Sequence, residues 1–161
     1  MTIILLPESV KQIHKMIIKT TGGEMGGFSE GKIQICLEYP FHEFHRYKKF
    51  RNIFQQAGAL LYAFATFHAF TDGNKRTGLI VTQLFLTLNG HDFSYPDDTF
   101  DYVIAIASNK IRSNRRISKW LKETSIKSKD YRDDGRYLTF TDARSVDIIT
   151  QLGGRLRVKV I

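Results

Sequence analysis

His68-Ala69-Phe70-Thr71-Asp72-Gly73-Asn74-Lys75-Arg76-Thr77-Gly78 is the stretch that decides how this chain is read. It sets an imidazole, a carboxylate, two glycines, an amide and two cations between two apolar runs. Upstream, Phe54, Ala57, Leu61, Phe64, Ala65 and Phe67 recur mostly at spacings of three and four, and Leu60 and Ala63 widen the stripe. That is the period of an amphipathic helix with a broad buried face, and it predicts a helix over 52–67. Downstream, Leu79, Ile80, Val81, Leu84, Phe85, Leu86 and Leu88 leave almost no polar face. This predicts a central, surrounded helix over 75–89, stopping at Asn89-Gly90, where glycine accepts a left-handed cap. The motif is therefore a helix, a tight loop and the start of a second helix.

The chemistry follows from that placement. The first turn of a helix presents backbone N–H groups with no partner inside the helix, and its end of the dipole is positive. Gly73 lets the loop turn sharply and lets a ligand approach the backbone. Arg76 can grip a phosphate with paired hydrogen bonds, while Lys75 acts as a point charge. Asn74 can donate from its amide or brace the loop. Asp72 would repel a phosphate by itself, but it suits a magnesium ion shared with substrate phosphates and water. His68 stands where it can take a proton from an incoming hydroxyl. Phe70, between polar stretches, anchors the loop in the core. A capped turn explains any one of these residues; it does not explain the set.

The run resembles the signature of the Fic/Doc superfamily, His-x-Phe-x-Asp/Glu-Gly-Asn-x-Arg. Lys75 stands where Fic-type adenylyltransferases usually carry a second glycine, and Asn74-Lys75-Arg76 is similar to the form found in the Doc (death-on-curing) branch. Gly22-Gly23 through Gly27 resembles the glycine-rich stretch ahead of the Doc flap. Leu88-Asn89-Gly90-His91, an acidic helix start and the Trp120-Leu121 pair also fit. The resemblance covers residues 1 to about 126. It implies His68 as general base, Asp72 as the magnesium ligand, and Gly73, Asn74, Lys75 and Arg76 as the nucleotide-phosphate site.

The resemblance also implies an activity. Fic enzymes give AMP from ATP to a protein hydroxyl. In Doc the nucleotide is reversed and the γ-phosphate is transferred, to a threonine of translation elongation factor Tu, with growth arrest. Lysine at position 75 fills and charges space that glycine would leave open to a diphosphate, which favours phosphate transfer over AMP transfer. The expected co-substrate is ATP with Mg2+. A reading of another class is a non-catalytic module that binds nucleotide or RNA; a pure binder needs neither the base nor the carboxylate. Ala69 departs from the proline common after the catalytic histidine. The inhibitory Ser/Thr-x-x-x-Glu-Gly/Asn helix of many Fic proteins is read as absent: Thr20 to Glu24 comes nearest, but Met25 follows and two glycines interrupt it. Restraint is then expected from a separate antitoxin.

Composition bounds the rest. At 161 residues the chain is one domain with room for a small appendage, and 42% hydrophobic content supports a core. No apolar run reaches about 18 residues, so no membrane span is expected. The start lacks a basic leader and does not read as a signal peptide. A single cysteine, Cys36, excludes an internal disulfide and fits a reducing, cytoplasmic setting. The net charge of +8 is concentrated in His45-Arg46-Tyr47-Lys48-Lys49-Phe50-Arg51 and in Lys110, Arg112, Arg115, Arg116, Lys119, Lys122, Lys127 and Lys129. Such clusters are solvated faces, docking surfaces for an acidic partner, or RNA contacts.

The remaining pattern predicts a mainly α fold, a Fic/Doc-like helical bundle with a short β flap, plus a small C-terminal β-containing extension. Residues 7–20 read as a helix with Pro7 in its first turn and Val10, Ile13, Met16 and Ile17 on one face. Residues 22–31 hold five glycines and read as a mobile loop. Alternation over 32–37 reads as a strand-like flap, with Cys36 in its packing. In this family such a flap docks the target by strand addition, here through Lys32, Ile33, Gln34 and Ile35. Helices are predicted over 97–108, with Phe100, Val103, Ile104 and Ala107 inward, and over 114–124, with Ser113 as cap and Ile117, Trp120 and Leu121 buried. His14, His42, His45 and His91 read as structural or solvent-facing. Residues 1–126 form the family-like domain. Residues 127–161 form a linker and a small extension, with polar linker character already at 125–136, a strand over 137–140, a short helix over 141–152 and a strand toward Ile161.

Overall fold

The structure, a computed structural model, describes residues 2–45, 47–128 and 158–161. Along the chain the elements are β1 (Ile3–Leu5), α1 (Pro7–Thr21), α2 (Glu30–Glu38), a 3-10 turn (Tyr39–Phe41), β2 (Glu43–Phe44), β3 (Tyr47–Lys48), α3 (Ile53–Thr66), α4 (Asn74–Leu88), β4 (His91–Phe93), α5 (Thr99–Ala107), α6 (Asn114–Glu123), β5 (Ser125–Lys127) and β6 (Val158–Val160). The fold is mainly α. The described strands pair in twos: β1 with β6, β2 with β3, and β4 with β5, all antiparallel. No helix among the described residues is long and apolar enough to cross a membrane.

The two motif helices form the centre. Every residue of α4 from Thr77 to Leu88 is buried except Ile80, as its nearly continuous apolar run predicts. The α3 face holds Ala57, Leu60, Leu61, Phe64 and Ala65, all buried. The helices approach closely because Gly78 has no side chain: a Cβ there would stand 2.9 Å from Phe64 Cβ. Gly58 does the same for α3 against α6, where a Cβ would meet Asn114 Nδ2 at 3.1 Å and the Ser118 backbone at 3.2 Å. Pro7 opens α1, and Val10, Ile13 and Ile17 lie in the core.

Three expectations are corrected. Residues 32–37 are helical, within α2. Ile33, Cys36 and Leu37 recur at the helical spacing of three and four and are buried, while Ile35 is exposed; Ser29 caps the helix by accepting from Lys32 N at 3.3 Å. A helix uses its backbone groups internally, so Lys32, Ile33, Gln34 and Ile35 offer no edge for strand addition. The hairpin of this region is β2–β3, just before α3. In α5 the inward residues are Thr99, Val103 and Ile106, and Phe100 and Ile104 are 64% and 52% exposed. Apolar residues lie on both faces of this helix, and its rotation is set by Tyr102, whose ring stacks on Trp120 at 4.3 Å and whose hydroxyl donates to the Arg116 carbonyl. Finally, Ser125–Lys127 is strand, not linker, paired with β4.

The C-terminal strand expectation fits β6, which returns to the first strand of the chain. The strand predicted over 137–140 and the helix over 141–152 lie outside the described residues. β1 is held from its other side by Asn89. Asn89 Oδ1 accepts from Ile3 N at 2.9 Å, and Nδ2 donates to the Ile3 and Phe85 carbonyls at 2.8 and 2.7 Å. Asn89→Ala would strand both backbone groups of Ile3 in a buried position. We expect it to destabilise the fold by about 2–4 kcal/mol, read as a lower urea midpoint with an unchanged m-value; a midpoint within error of wild type would refute this role.

Candidate active site

The motif loop spans residues 67–73, between the end of α3 and the start of α4. Its anchor is Phe70, buried as expected, which stacks face to face on His14 of α1 at 3.9 Å. His14 Nε2 lies 2.9 Å from the Asp72 carbonyl. A carbonyl only accepts, so His14 donates through its Nε2–H. This buried histidine is structural, as its place on a helix suggests, and it fixes the loop just ahead of the helix start. Asn74 braces from within: Phe70 N donates to its Oδ1 at 2.9 Å, and its Nδ2 donates to the Phe70 carbonyl at 2.7 Å. The side-chain amide is thus committed to the loop, the second of the two roles its sequence position allowed. What Asn74 keeps for a ligand is its backbone N–H and the second hydrogen of Nδ2.

Gly73 is the residue preceding α4 and is left-handed, with φ 78°. A Cβ there would come 3.0 Å from Ile18 Cδ1 and 3.4 Å from His14 Nε2. Thr77 N donates to the Gly73 carbonyl, which leaves the N–H groups of Asn74, Lys75 and Arg76 without acceptors inside the helix. His68 is exposed and also left-handed, with φ 51°. That conformation is costly for a side-chain-bearing residue and persists where the surroundings enforce it. They do so here: Ser29 N donates to the next carbonyl, Ala69, at 2.9 Å, and Lys32 Nζ lies 3.4 Å from the His68 carbonyl. The imidazole of His68 and the ammonium of Lys75 have no hydrogen-bond or ion-pair partner among the described residues.

The glycine-rich stretch, expected as a mobile loop, is tied to the motif. Gly31 belongs to α2, and 22–29 runs beside the motif loop. Phe28 and Phe70 form an antiparallel bridge, and Thr71 donates to the Gly27 carbonyl from its backbone N–H at 3.0 Å and its hydroxyl at 2.9 Å. A Cβ on Gly26 would fall 2.5 Å from Thr71 Cβ. Sequence reasoning missed this contact and the roles of Thr21 and Glu24; the periodicity signal is silent on pairings across more than forty residues.

Asp72 and Arg76 sit one helical turn apart and form an ion pair at 3.3 Å. Asp72 Oδ1 also accepts from Gly73 N, and Oδ2 from Glu24 N at 3.1 Å. The Gly73 N–H first, then the Glu24 N–H, hold the Asp72 carboxyl below the usual carboxylate range; burial opposes this and Arg76 adds to it. Arg76 Nη1 donates to the Thr21 hydroxyl and to the Gly22 carbonyl, the latter at 2.6 Å. Glu24 thus meets the motif through its backbone N–H. Cys36, buried on α2, has its thiol pushed up to about 12 by burial, consistent with packing rather than reactivity.

The Fic/DOC family model matches residues 4–86. The match runs from β1 through most of α4 and takes in the whole site, more than half of the chain. The chain belongs to the Fic/DOC family. No curated protein matches it. The loop fits a magnesium ion in one respect that the structure supplies: the Asp72 carboxyl is held below the usual carboxylate range and its side chain is 42% exposed. Among the described residues no group of three or more acidic, histidine or cysteine side chains gathers as a metal cage. An ion held by Asp72 would need its remaining ligands from water or from a bound molecule.

Two outcomes follow. Gly73→Ala should cost about 1–2 kcal/mol from the left-handed backbone alone, measured by denaturant unfolding. Asp72 has a depressed folded-state pKa, so its stabilising effect is fully present above its unfolded value, near pH 4, and is lost as pH falls through the lowered folded value. Melting temperatures of wild type and Asp72→Asn should therefore converge as pH drops below about 4. Parallel curves would mean the carboxylate network is not formed in solution.

Proposed function

We propose that this Fic/DOC protein is a Doc-like phosphotransferase that moves the γ-phosphate of ATP onto a hydroxyl of a protein. The observation that carries the reading is the division of labour on one short loop: an exposed His68 and an exposed Lys75, neither side chain partnered among the described residues, with an Asp72 carboxyl held below the usual range, at a helix start that has no side-chain cap. His68 removes the proton as the acceptor oxygen attacks the γ-phosphorus. The bond from that phosphorus to the β–γ bridging oxygen breaks, ADP leaves, and the proton stays on the imidazole until solvent takes it. Arg76, Lys75 and the N–H groups of Asn74, Lys75 and Arg76 orient the phosphates. Asp72 would hold Mg2+, which neutralises phosphate charge when bound. Lys75, where a Fic-type enzyme has glycine, supports phosphate over AMP transfer.

The target reads as a polypeptide laid beside the β2–β3 hairpin instead of residues 32–35. Support comes from the path between hairpin and base: Lys49, just after β3, lies 5.3 Å above the Tyr39 ring, and Tyr39 packs edge-on to Phe67, the neighbour of His68. Restraint by a separate antitoxin remains part of this reading, and the basic clusters give such a partner, or RNA, a surface of opposite sign.

The test is intact-mass analysis of translation elongation factor Tu incubated with the protein, ATP and Mg2+, followed by labelling of a whole lysate. We expect a gain of one phosphoryl group, lowered about a hundredfold to ten-thousandfold by His68→Ala with the melting temperature kept. A gain of one AMP would move the assignment to Fic-type transfer despite Lys75. Modification that survives His68→Ala would remove His68 as base, and nucleotide binding without transfer to any protein would leave a binding module.

A further inference from the structure

We propose that Thr21, at the C-terminal end of α1, is a positioning residue for Arg76, so that the first helix supplies one wall of the phosphate site. This rests on the reading of that site given above. Arginine carries five N–H donors. Both hydrogens of Arg76 Nη1 are taken, by Thr21 Oγ1 and by the Gly22 carbonyl, and one on Nη2 faces Asp72 Oδ2. The Nε–H and one Nη2–H remain for a phosphate.

The Thr21 hydroxyl is itself oriented. It donates to the Ile17 carbonyl at 2.7 Å, so its proton is spent on α1 and its lone pairs face the guanidinium. Both Nη1 acceptors are uncharged dipoles at the negative end of a helix. They fix the plane of the guanidinium without cancelling its charge. Among the described residues the anion on this guanidinium is Asp72, on Nη2, and Glu24 meets the motif through its N–H instead. Gly23 makes the crossing possible: with φ 127°, a Cβ on it would fall 2.4 Å from Asp72 Oδ2 and 2.9 Å from Arg76 Nη2. A guanidinium held in one plane loses less freedom on meeting a phosphate than a mobile one.

Two readouts on the full chain test this. The first needs no nucleotide: the Nη signals of Arg76 in 15N–1H spectra, assigned by their loss in Arg76→Lys. Wild type and Thr21→Ser should show resolved, rotationally restricted Nη1 hydrogens; Thr21→Val and Thr21→Ala should show them averaged. The second is calorimetric titration with MgATP. Thr21→Val and Thr21→Ala should weaken binding about tenfold, the size expected for one hydrogen bond to a charged group, and Thr21→Ser should restore it. Unchanged Arg76 signals and unchanged affinity in both variants would overturn the positioning role while leaving the phosphate site standing. Tighter binding would make Thr21 a restraint instead and overturn it equally. Wild-type protein that binds no MgATP would overturn the phosphate reading and this assignment with it.

Discussion

The site hangs on how closely α3 and α4 approach. Gly78 is one turn into α4, and a single methyl there would collide with Phe64 Cβ. The motif loop has its two ends fixed on these helices, at Thr66 and at Asn74, and only residues 67–73 to bridge them. On this bridge His68 and Gly73 are both left-handed, and the backbone around His68 is held by Ser29 N on the Ala69 carbonyl and Lys32 on its own carbonyl. The helix-propensity cost of Gly78, about 1 kcal/mol against alanine, is offset by what the close approach permits.

Packing alone would leave the loop's polar backbone unsatisfied, and distant segments complete it. The Ala69 carbonyl takes Ser29 N, the Thr71 N–H goes to Gly27, and the Asp72 carbonyl takes His14. Phe70, between them, is buried against the His14 ring. Each bond reaches back forty residues or more to α1 or to the segment after it. The glycines of that segment are therefore specific in use. At Gly23 and Gly26 the chain passes too near Asp72, Arg76 and Thr71 for any side chain. The same segment that reads as a loose linker is the second layer of the site.

This explains what could and could not be read from the sequence. The α3–α4 pair was legible because burial on one or all faces writes itself into a 3.6-residue period, and Asn89-Gly90 marks its end. The placement of His68, Asp72 and Lys75 between those helices was legible from the same two apolar runs. Residues 32–37 misled because Ile33, Ile35 and Leu37 alternate while Ile33, Cys36 and Leu37 also satisfy a helical period; six residues cannot separate the two patterns, and the cap at Ser29 decided it. α5 misled because apolar residues occupy two faces, and the face that packs inward, Val103 and Ile106 with Tyr102 stacked on Trp120, is set by tertiary contacts. The commitment of the Asn74 amide to Phe70, and the Thr21–Arg76 contact, depend on tertiary geometry that no local pattern encodes.

The first turn of α4 breaks several local rules at once. It has no side-chain cap, no acidic residue, and two cations, Lys75 and Arg76, at the positive end of the helix dipole. Each cation there is unfavourable by about 0.3–1 kcal/mol. Arg76 is partly compensated by Asp72, whereas Lys75 is exposed and has no ion-pair partner among the described residues. The helix survives because nearly all of its remaining length is buried. Local conflicts of this kind concentrate where a ligand resolves them. An anion at this turn would satisfy the three N–H groups without intrahelical acceptors, neutralise Lys75 and relieve the repulsion between neighbouring cations. Lys75, beside Arg76 at the positive end of the dipole, is therefore also the residue that leaves this helix start most in need of an anion.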